Sequence, residues 1–372
     1  MVWFREVEYM RGFAALAVIA VHVSMNYTRI SAVNLLALLD LFIYIAAHFA
    51  VPVFVFVSGW VLAARYAGDY SPGEFYRRRA KTILVPYLFF TAFYLLVSVE
   101  GTIGFAGVPS LARVAEALLL GTAAYHLWFF ALIIQLYLLF PLIVRGYDFF
   151  DRAGTALFLL FSLFIIQILW NAAAHLAGAY LGPEWYTVLI RLFPSHLLYF
   201  VLGVHVARHT DDCRSALRSL SPAWVLAAAG AGALVLGGIW VASAIHYGSL
   251  TDTTLAVFCI YRVLEPLYYV PVIAVLVLAA WRLEGAGGLS AAAARSFGEH
   301  SYGIYLVHPL VIAAVASLWA SLTGLAWADW PTYPAVFIAA VLASYAAVRV
   351  LSGVPYAGWL LGEPRVRRGP LQ

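Results

Sequence analysis

Two residues in the first apolar stretch set up the chemistry. Arg11 and His22 stand eleven positions apart, and the run from Gly12 to Val23 is apolar except for that histidine. At about 100° per residue the separation is three turns plus roughly 20°, so both side chains fall on one face of a helix. At about 1.5 Å per residue it is also a drop of roughly 16 Å, half the hydrocarbon core of a bilayer. A cation at one membrane surface and a titratable imidazole near the midplane therefore share a stripe. An ionisable side chain inside a bilayer is costly and normally faces a protein interior or a wet cavity. The arrangement fits a general base reached from both sides, with an arginine holding an anionic ligand at the entrance. It fits equally a histidine satisfied by a neighbouring helix.

Other residues could share the work. His308 lies about seven residues into the ninth apolar span, roughly 10 Å deep, with Tyr302 and Tyr305 before it and Pro309 after it. His48 falls toward the outer leaflet in the second span, which continues through Pro52 to Ser58 and Gly59. Proline frees a backbone carbonyl and kinks a helix, and small residues let helices approach closely. Arg77, Arg78, Arg79 and Lys81 put four cations into five residues at a helix entrance. That cluster suits phosphate groups and equally suits anionic lipid headgroups. His126, between Tyr125 and Trp128, reads as part of an interfacial belt at the outer edge. Asn171, His175, His196 and His205 read as interhelical hydrogen-bond partners, and Arg262 with Glu265 as a local ion pair. No metal site is read from the sequence.

The elements that must position these residues are membrane helices. The 372 residues are 64% apolar and 11% charged, with a mean hydropathy of +0.90, well outside soluble usage. About ten apolar spans are expected, at roughly 12–28, 41–64, 82–99, 127–144, 154–177, 192–207, 223–244, 261–281, 302–322 and 333–350. Together they form a single transmembrane domain over 1–372, an all-α integral membrane bundle. With the N-terminus inside, only Arg29, Arg113, Arg191 and Arg262 of the 22 basic residues fall outside. The positive-inside rule then puts both termini in the cytoplasm of a cell-membrane protein. The net charge of +4 needs no nucleic-acid partner. The first helix is not expected to be a signal peptide, since Glu6 and Glu8 precede it and no clean cleavage site follows. Cys213 and Cys259 are expected on opposite sides, which argues against a disulfide.

Four segments carry a resemblance. They are Arg11 with His22; Pro52, Phe54, Phe56, Ser58 and Gly59; His126-Leu127-Trp128-Phe129 with Tyr137 and Pro141; and Ser301-Tyr302-Gly303-Ile304-Tyr305-Leu306-Val307-His308-Pro309. Their order and spacing resemble the acyltransferase 3 family of integral-membrane acyltransferases, over nearly the whole chain. His48 to Pro52 and His126 to Phe129 look most like the branch that includes an O-acetyltransferase of enterobacterial common antigen. Where many members have a Gly-rich approach to the Ser-Gly pair, this chain has Ala46-Ala47-His48, a departure that bears on the acceptor.

The resemblance implies a ten-helix bundle that takes an acyl group, acetyl in the first instance, from cytoplasmic acyl-CoA. The group goes to a hydroxyl of a glycan or lipid-linked sugar, and no bound cofactor is required. The family's Arg and His map onto Arg11 and His22. The CoA nucleotide would sit near Arg11, with Arg77, Arg78, Arg79 and Lys81 as further contacts. Its arm, about as long as the roughly 16 Å from Arg11 to His22, would bring the thioester to the imidazole. Burial favours the neutral imidazole a base needs, and general-base help is worth about 10²–10⁴-fold. An acyl-imidazole intermediate is the other route. Ser58, Tyr302, Tyr305 and His308 are the candidates for stabilising the oxyanion or for the acceptor site, as is His48 for the acceptor. A multi-span transporter or flippase without acyl transfer is the alternative, though no duplicated halves are seen. A structural or sensory subunit is the third reading.

Overall fold

The computed structural model describes residues 5–26, 30, 33–68, 70–99, 103–354 and 357–361. Residues 27 and 28 of the first expected span, and Arg29, Arg365, Arg367 and Arg368 of the charge pattern, lie outside the described residues.

The chain winds around its first helix. Helix α1 (Arg5–Ser24) buries thirteen of its 20 residues, so the stretch carrying Arg11 and His22 is the axis of the bundle and not its rim. Helices α2 (Leu35–Ala46), α3 (Ala50–Arg65), α13 (Leu255–Ala286), α14 (Gly288–Glu299), α15 (Ser301–Thr323) and α16 (Thr332–Gly353) all lie against it. The remaining helices are α4 (Pro72–Arg79), α5 (Val85–Leu96), α6 (Leu111–Leu120), α7 (Trp128–Arg152), α8 (Ala156–Leu181), α9 (Pro183–Ile190), α10 (Leu197–Arg208), α11 (Thr210–Ser219), α12 (Pro222–Tyr247) and α17 (Ala357–Leu360). A two-residue antiparallel hairpin, β1 (Val97–Ser98) with β2 (Gly104–Phe105), interrupts them.

Among the described residues, nine helices are long and apolar enough to cross a membrane, against the ten expected. The difference is the sixth span. Pro194 supplies no N–H and the chain makes a 3₁₀ turn at Phe193–Ser195, so α10 starts late and runs for 12 residues. Twelve residues rise about 18 Å, short of a core about 30 Å thick. Such a helix needs protein around its ends, and α3 supplies it. A methyl group at Gly59 would overlap the Phe200 carbonyl, and one at Gly203 would overlap the Phe56 carbonyl. The two glycines thus let α3 and α10 meet backbone to backbone, the close approach that Ser58-Gly59 leads one to expect. Gly298 does the same for α14, where a methyl would strike the Glu8 carbonyl of α1.

Prolines open the helices at useful places. A proline at position i leaves the carbonyl at i−4 without its helical donor. Pro52 frees His48, and the chain makes a 3₁₀ turn at Ala47–Phe49 between α2 and α3. Pro86 frees Thr82, within a π-helical turn at Ala80–Leu84; the Tyr302 hydroxyl donates to that carbonyl at 3.1 Å. Pro309 frees Tyr305, whose carbonyl accepts from His308 instead, at 2.7 Å.

Candidate active site

Helices α1, α15 and the turn before α7 bring three histidines together. The rings of His22 and His308 stack with 5.1 Å between centroids and 25° between planes. The His126 ring meets His308 edge-on at 5.1 Å. Tyr125 lies 4.5 Å from His22, and Tyr305 lies 5.7 Å from His308 and 5.3 Å from His126. His308 and His126 are 0% and 1% exposed, whereas His22 as a residue is half-buried.

Local geometry fixes what each ring can do. The Nδ1 of His308 faces the Tyr305 carbonyl, an acceptor only, so Nδ1 carries the proton. Its Nε2 then holds a lone pair and has no hydrogen-bond partner. The Nδ1 of His22 and both nitrogens of His126 are likewise enclosed without partners. Buried polar atoms are nearly always paired, so these neighbouring ring nitrogens without partners make the cluster the candidate site. Among the described residues, no group of His, Cys, Asp and Glu is disposed to hold a metal ion; the rings stack on one another instead of converging.

The position of His126 corrects the expectation of an outer-edge belt residue. Helix α6 is capped by Ser110, whose Oγ accepts from the Arg113 amide at 3.2 Å. It ends at Gly121, in the left-handed region at φ 67°, where a side chain would run into the backbone of Leu127 and Trp128. The chain turns there and returns into the bundle. Tyr87 donates to the Ala117 carbonyl at 2.9 Å and Arg191 to the Leu120 carbonyl at 2.8 Å. Tyr305 donates to the His126 carbonyl itself. A histidine between aromatic residues at the head of a span reads as interfacial by composition alone. The fold-back signal was Gly121, five residues earlier.

The other candidates divide between two neighbourhoods. His48 is within electrostatic reach of His22. Its Nδ1 donates to the Tyr44 carbonyl, and its ring stands edge-on to Tyr44 at 4.4 Å. Ser58 lies elsewhere: its Oγ accepts from the Tyr137 hydroxyl at 3.4 Å. The Arg79 guanidinium lies 5.9 Å from the centre of the same Tyr137 ring, with its Nε enclosed and unpartnered. The Tyr302 and Tyr305 hydroxyls, two of the candidates for holding an oxyanion, spend their single protons on the Thr82 and His126 carbonyls.

At the Arg11 end the cations differ in their freedom. Arg11 pairs with Glu8 at 3.2 Å on its own helix and stays about a third exposed. Arg78 is tied to Glu74. Arg77 and Lys81 are exposed. Arg5 to Glu284 at 2.8 Å and Arg214 to Glu6 at 3.1 Å anchor the start of α1 to α13 and α11. Arg262 pairs with Glu265 at 2.8 Å, as expected, but well inside α13 and against the Tyr186 hydroxyl. His205 meets the Tyr147 hydroxyl at 2.7 Å, the interhelical role expected of it.

Comparison with known proteins agrees with this architecture. The sequence model of a family described as an acyltransferase domain matches residues 4–349. No curated protein matches the chain, and no solved structure does. The family match runs from the helix that carries Arg11 and His22 through the last long helix of the bundle. The chain belongs to the acyltransferase 3 family and is a multi-pass membrane acyltransferase.

Proposed function

We propose that the protein moves an acyl group, acetyl in the first instance, from cytoplasmic acyl-CoA to a hydroxyl of a cell-surface glycan or lipid-linked sugar. His22 is the general base. The single observation that carries this reading is the stack of His22 on His308, with unpartnered ring nitrogens, eleven residues along α1 from a partly exposed arginine. The site lies in the cell membrane with both chain termini in the cytoplasm, on the side of the basic residues.

In this mechanism the CoA phosphates rest near Arg11 and Arg79, and the pantetheine arm runs along α1. An acceptor hydroxyl gives its proton to His22 as its oxygen bonds to the thioester carbonyl carbon. The tetrahedral intermediate then collapses, the carbon–sulfur bond breaks, and the CoA thiolate takes the proton back from the imidazolium. The products are an ester and CoA–SH, with no net proton released.

The experiment is the melting shift of detergent-purified protein with acetyl-CoA, against CoA alone and ATP. A ligand that binds only the folded state adds about 2.7 kcal/mol at a hundredfold excess over Kd. A shift with acetyl-CoA and CoA, absent with ATP and lost in Arg11→Ala, supports the donor site. No shift with any acyl-CoA in a folded sample overturns the reading. In the same preparation His22→Ala retains the shift and loses transfer; wild-type transfer by that variant removes His22 as the base.

A further inference from the structure

Between α10, which ends at Arg208, and α12, which starts at Pro222, the chain forms the short helix α11. Arg214 and Arg218 stand four residues apart, neighbours on one face of that helix. Both reach the same indole. Their guanidinium carbons lie 5.5 and 5.8 Å from the centre of the Trp281 ring, near the end of α13. Like charges at that spacing repel, and only one of the two is balanced. The Nη2 of Arg214 meets Glu6 of α1 at 3.1 Å. Arg218 is exposed and, among the described residues, its one named contact is the Trp281 ring. The carboxylates at hand are committed elsewhere: Glu284 to Arg5 at 2.8 Å and Asp212 to His209 at 3.6 Å. Asp211, in the first turn of α11, pairs with neither arginine among the described residues. The Nε of Arg214 and the Nε1 of Trp281 are enclosed without a hydrogen-bond partner. This corner therefore holds a surplus of positive charge and of donors.

We propose that Arg214, Arg218 and Trp281 hold the phosphate of an anionic phospholipid. A guanidinium stacked on an aromatic ring turns its N–H fork outward, in the plane that matches phosphate oxygens. One phosphodiester between the two forks also relieves the repulsion between them. The depth of the site favours a lipid over a free phosphate. The chain leaves the bundle at Arg208 and re-enters it at Pro222, and beside that re-entry Leu220 and Trp224 are 51% and 77% exposed. Tryptophan marks the membrane–water boundary, so α11 lies at headgroup level with apolar side chains next to its arginines for acyl chains to cover. The surplus charge favours an anionic headgroup, because a zwitterionic lipid brings a cation of its own. Basic pockets between membrane helices take such headgroups. The bound lipid ties α11 to α13 and, through Arg214 and Glu6, to the first turn of α1. Glu6 is sixteen residues along α1 from His22, a rise of about 24 Å, so the site is separate from the histidine cluster and needs no acyl transfer.

The test titrates full-length protein in a neutral detergent with dioctanoyl phosphatidylglycerol, dioctanoyl phosphatidylcholine and glycerol 3-phosphate. Melting temperature and the lipid retained in native mass spectrometry are read for each. Phosphatidylglycerol raises the melting temperature and stays bound, and at the same concentration the other two do neither. Arg218→Gln, a change at an exposed position, weakens phosphatidylglycerol about tenfold, equivalent to about 1.4 kcal/mol. Trp281→Leu, which removes the shared ring, has the same effect in a sample whose lipid-free melting curve shows it folded. Arg78→Gln takes the same charge from α4 and leaves the affinity as it was. Equal losses in Arg218→Gln and Arg78→Gln show a diffuse field and overturn the site. An affinity unchanged in Arg218→Gln overturns it as well, whether or not Trp281→Leu folds. A shift with glycerol 3-phosphate as large as with phosphatidylglycerol overturns the lipid as the source of the phosphate. Phosphatidylcholine bound as tightly as phosphatidylglycerol overturns the requirement for an anionic headgroup.

Discussion

His22 and His308 stand ring on ring, 5.1 Å between centroids, although 286 positions of sequence separate them. Two imidazoles that close cannot both become imidazolium at low cost, because like charges in a poorly solvated interior repel strongly. In the proposed mechanism the pair therefore takes up a single extra proton when His22 accepts it from substrate, and the Nε2 lone pair of His308 is the adjoining acceptor. His308→Ala is expected to lower kcat by about 10²–10⁴-fold, the span of a general acid–base contribution. The KM for acetyl-CoA stays as it was, because no donor contact is removed. Steady-state kinetics with labelled acetyl-CoA decides it. A kcat within twofold of wild type, within ordinary assay scatter, denies His308 any part in the proton's path.

Pro309 offers a sharper test of the same arrangement. By withholding a helical N–H from the Tyr305 carbonyl, it leaves that carbonyl to the Nδ1–H of His308. Pro309→Ala restores the competing donor. A mid-helix proline costs roughly 3 kcal/mol relative to alanine, so the variant is expected to melt no lower than the parent. Its kcat nevertheless falls, because the His308 ring loses the bond that sets its tautomer. Activity lost with thermal stability kept identifies Pro309 as a positioning residue. Loss of both together means that the proline serves packing alone.

Much of this was legible in the sequence, for identifiable reasons. Periodicity places Arg11 and His22 on one face, because a twelve-residue run that is apolar but for His22 admits little else than a helix. Composition gives an all-α membrane bundle, and Ser58-Gly59 signals a close helix approach, which Gly203 completes from α10. The His308-Pro309 pair carries the tautomer of its own histidine. What escaped depends on the third dimension. His126 belongs to a turn whose return into the bundle is set by Gly121 and by hydrogen bonds from Tyr87 and Arg191. A hydropathy window averages such a loop into the surface. The shortness of α10 escaped for a similar reason: a run of apolar residues reads as a span whether or not Pro194 delays the helix. The hairpin and α6 are too short and too mixed in composition to stand out.

The basic cluster at the end of α4 is expected to divide in function. Arg79 turns inward over Tyr137, its Nε enclosed and unpaired, whereas Arg78 is occupied by Glu74 at the surface. A charge-assisted hydrogen bond to a phosphate contributes about 1.5–3 kcal/mol, which is roughly ten- to a hundredfold in affinity. Arg79→Ala is expected to raise the KM for acetyl-CoA by that factor with kcat less affected. Arg78→Ala leaves both constants unchanged. Equal effects of the two substitutions mean that the cluster acts as a diffuse field, as it would toward anionic lipid. Repeating the assay in neutral and anionic lipid separates the two, since only the diffuse field depends on the headgroup.

Gly59 and Gly203 face each other's helices at the α3–α10 contact, each against the other's backbone. A methyl group at either one has no side chain to push aside, because its obstacle is the main chain of Phe200 or of Phe56. Overpacking of this kind costs about 1–3 kcal/mol where a core can relax, and the cost here falls at the upper end because two backbones must part. Gly59→Ala and Gly203→Ala are each expected to lower the melting temperature in detergent. The double variant loses less than the sum of the two, since helices already forced apart by the first methyl make room for the second. The wider spacing also unseats α10 from α3 and leaves the backbone groups at the ends of a 12-residue helix exposed to lipid. Melting curves of the three variants decide between this and independent sites. Strict additivity would show that the two glycines do not share one contact and that the short helix is held in the bundle by some other surface.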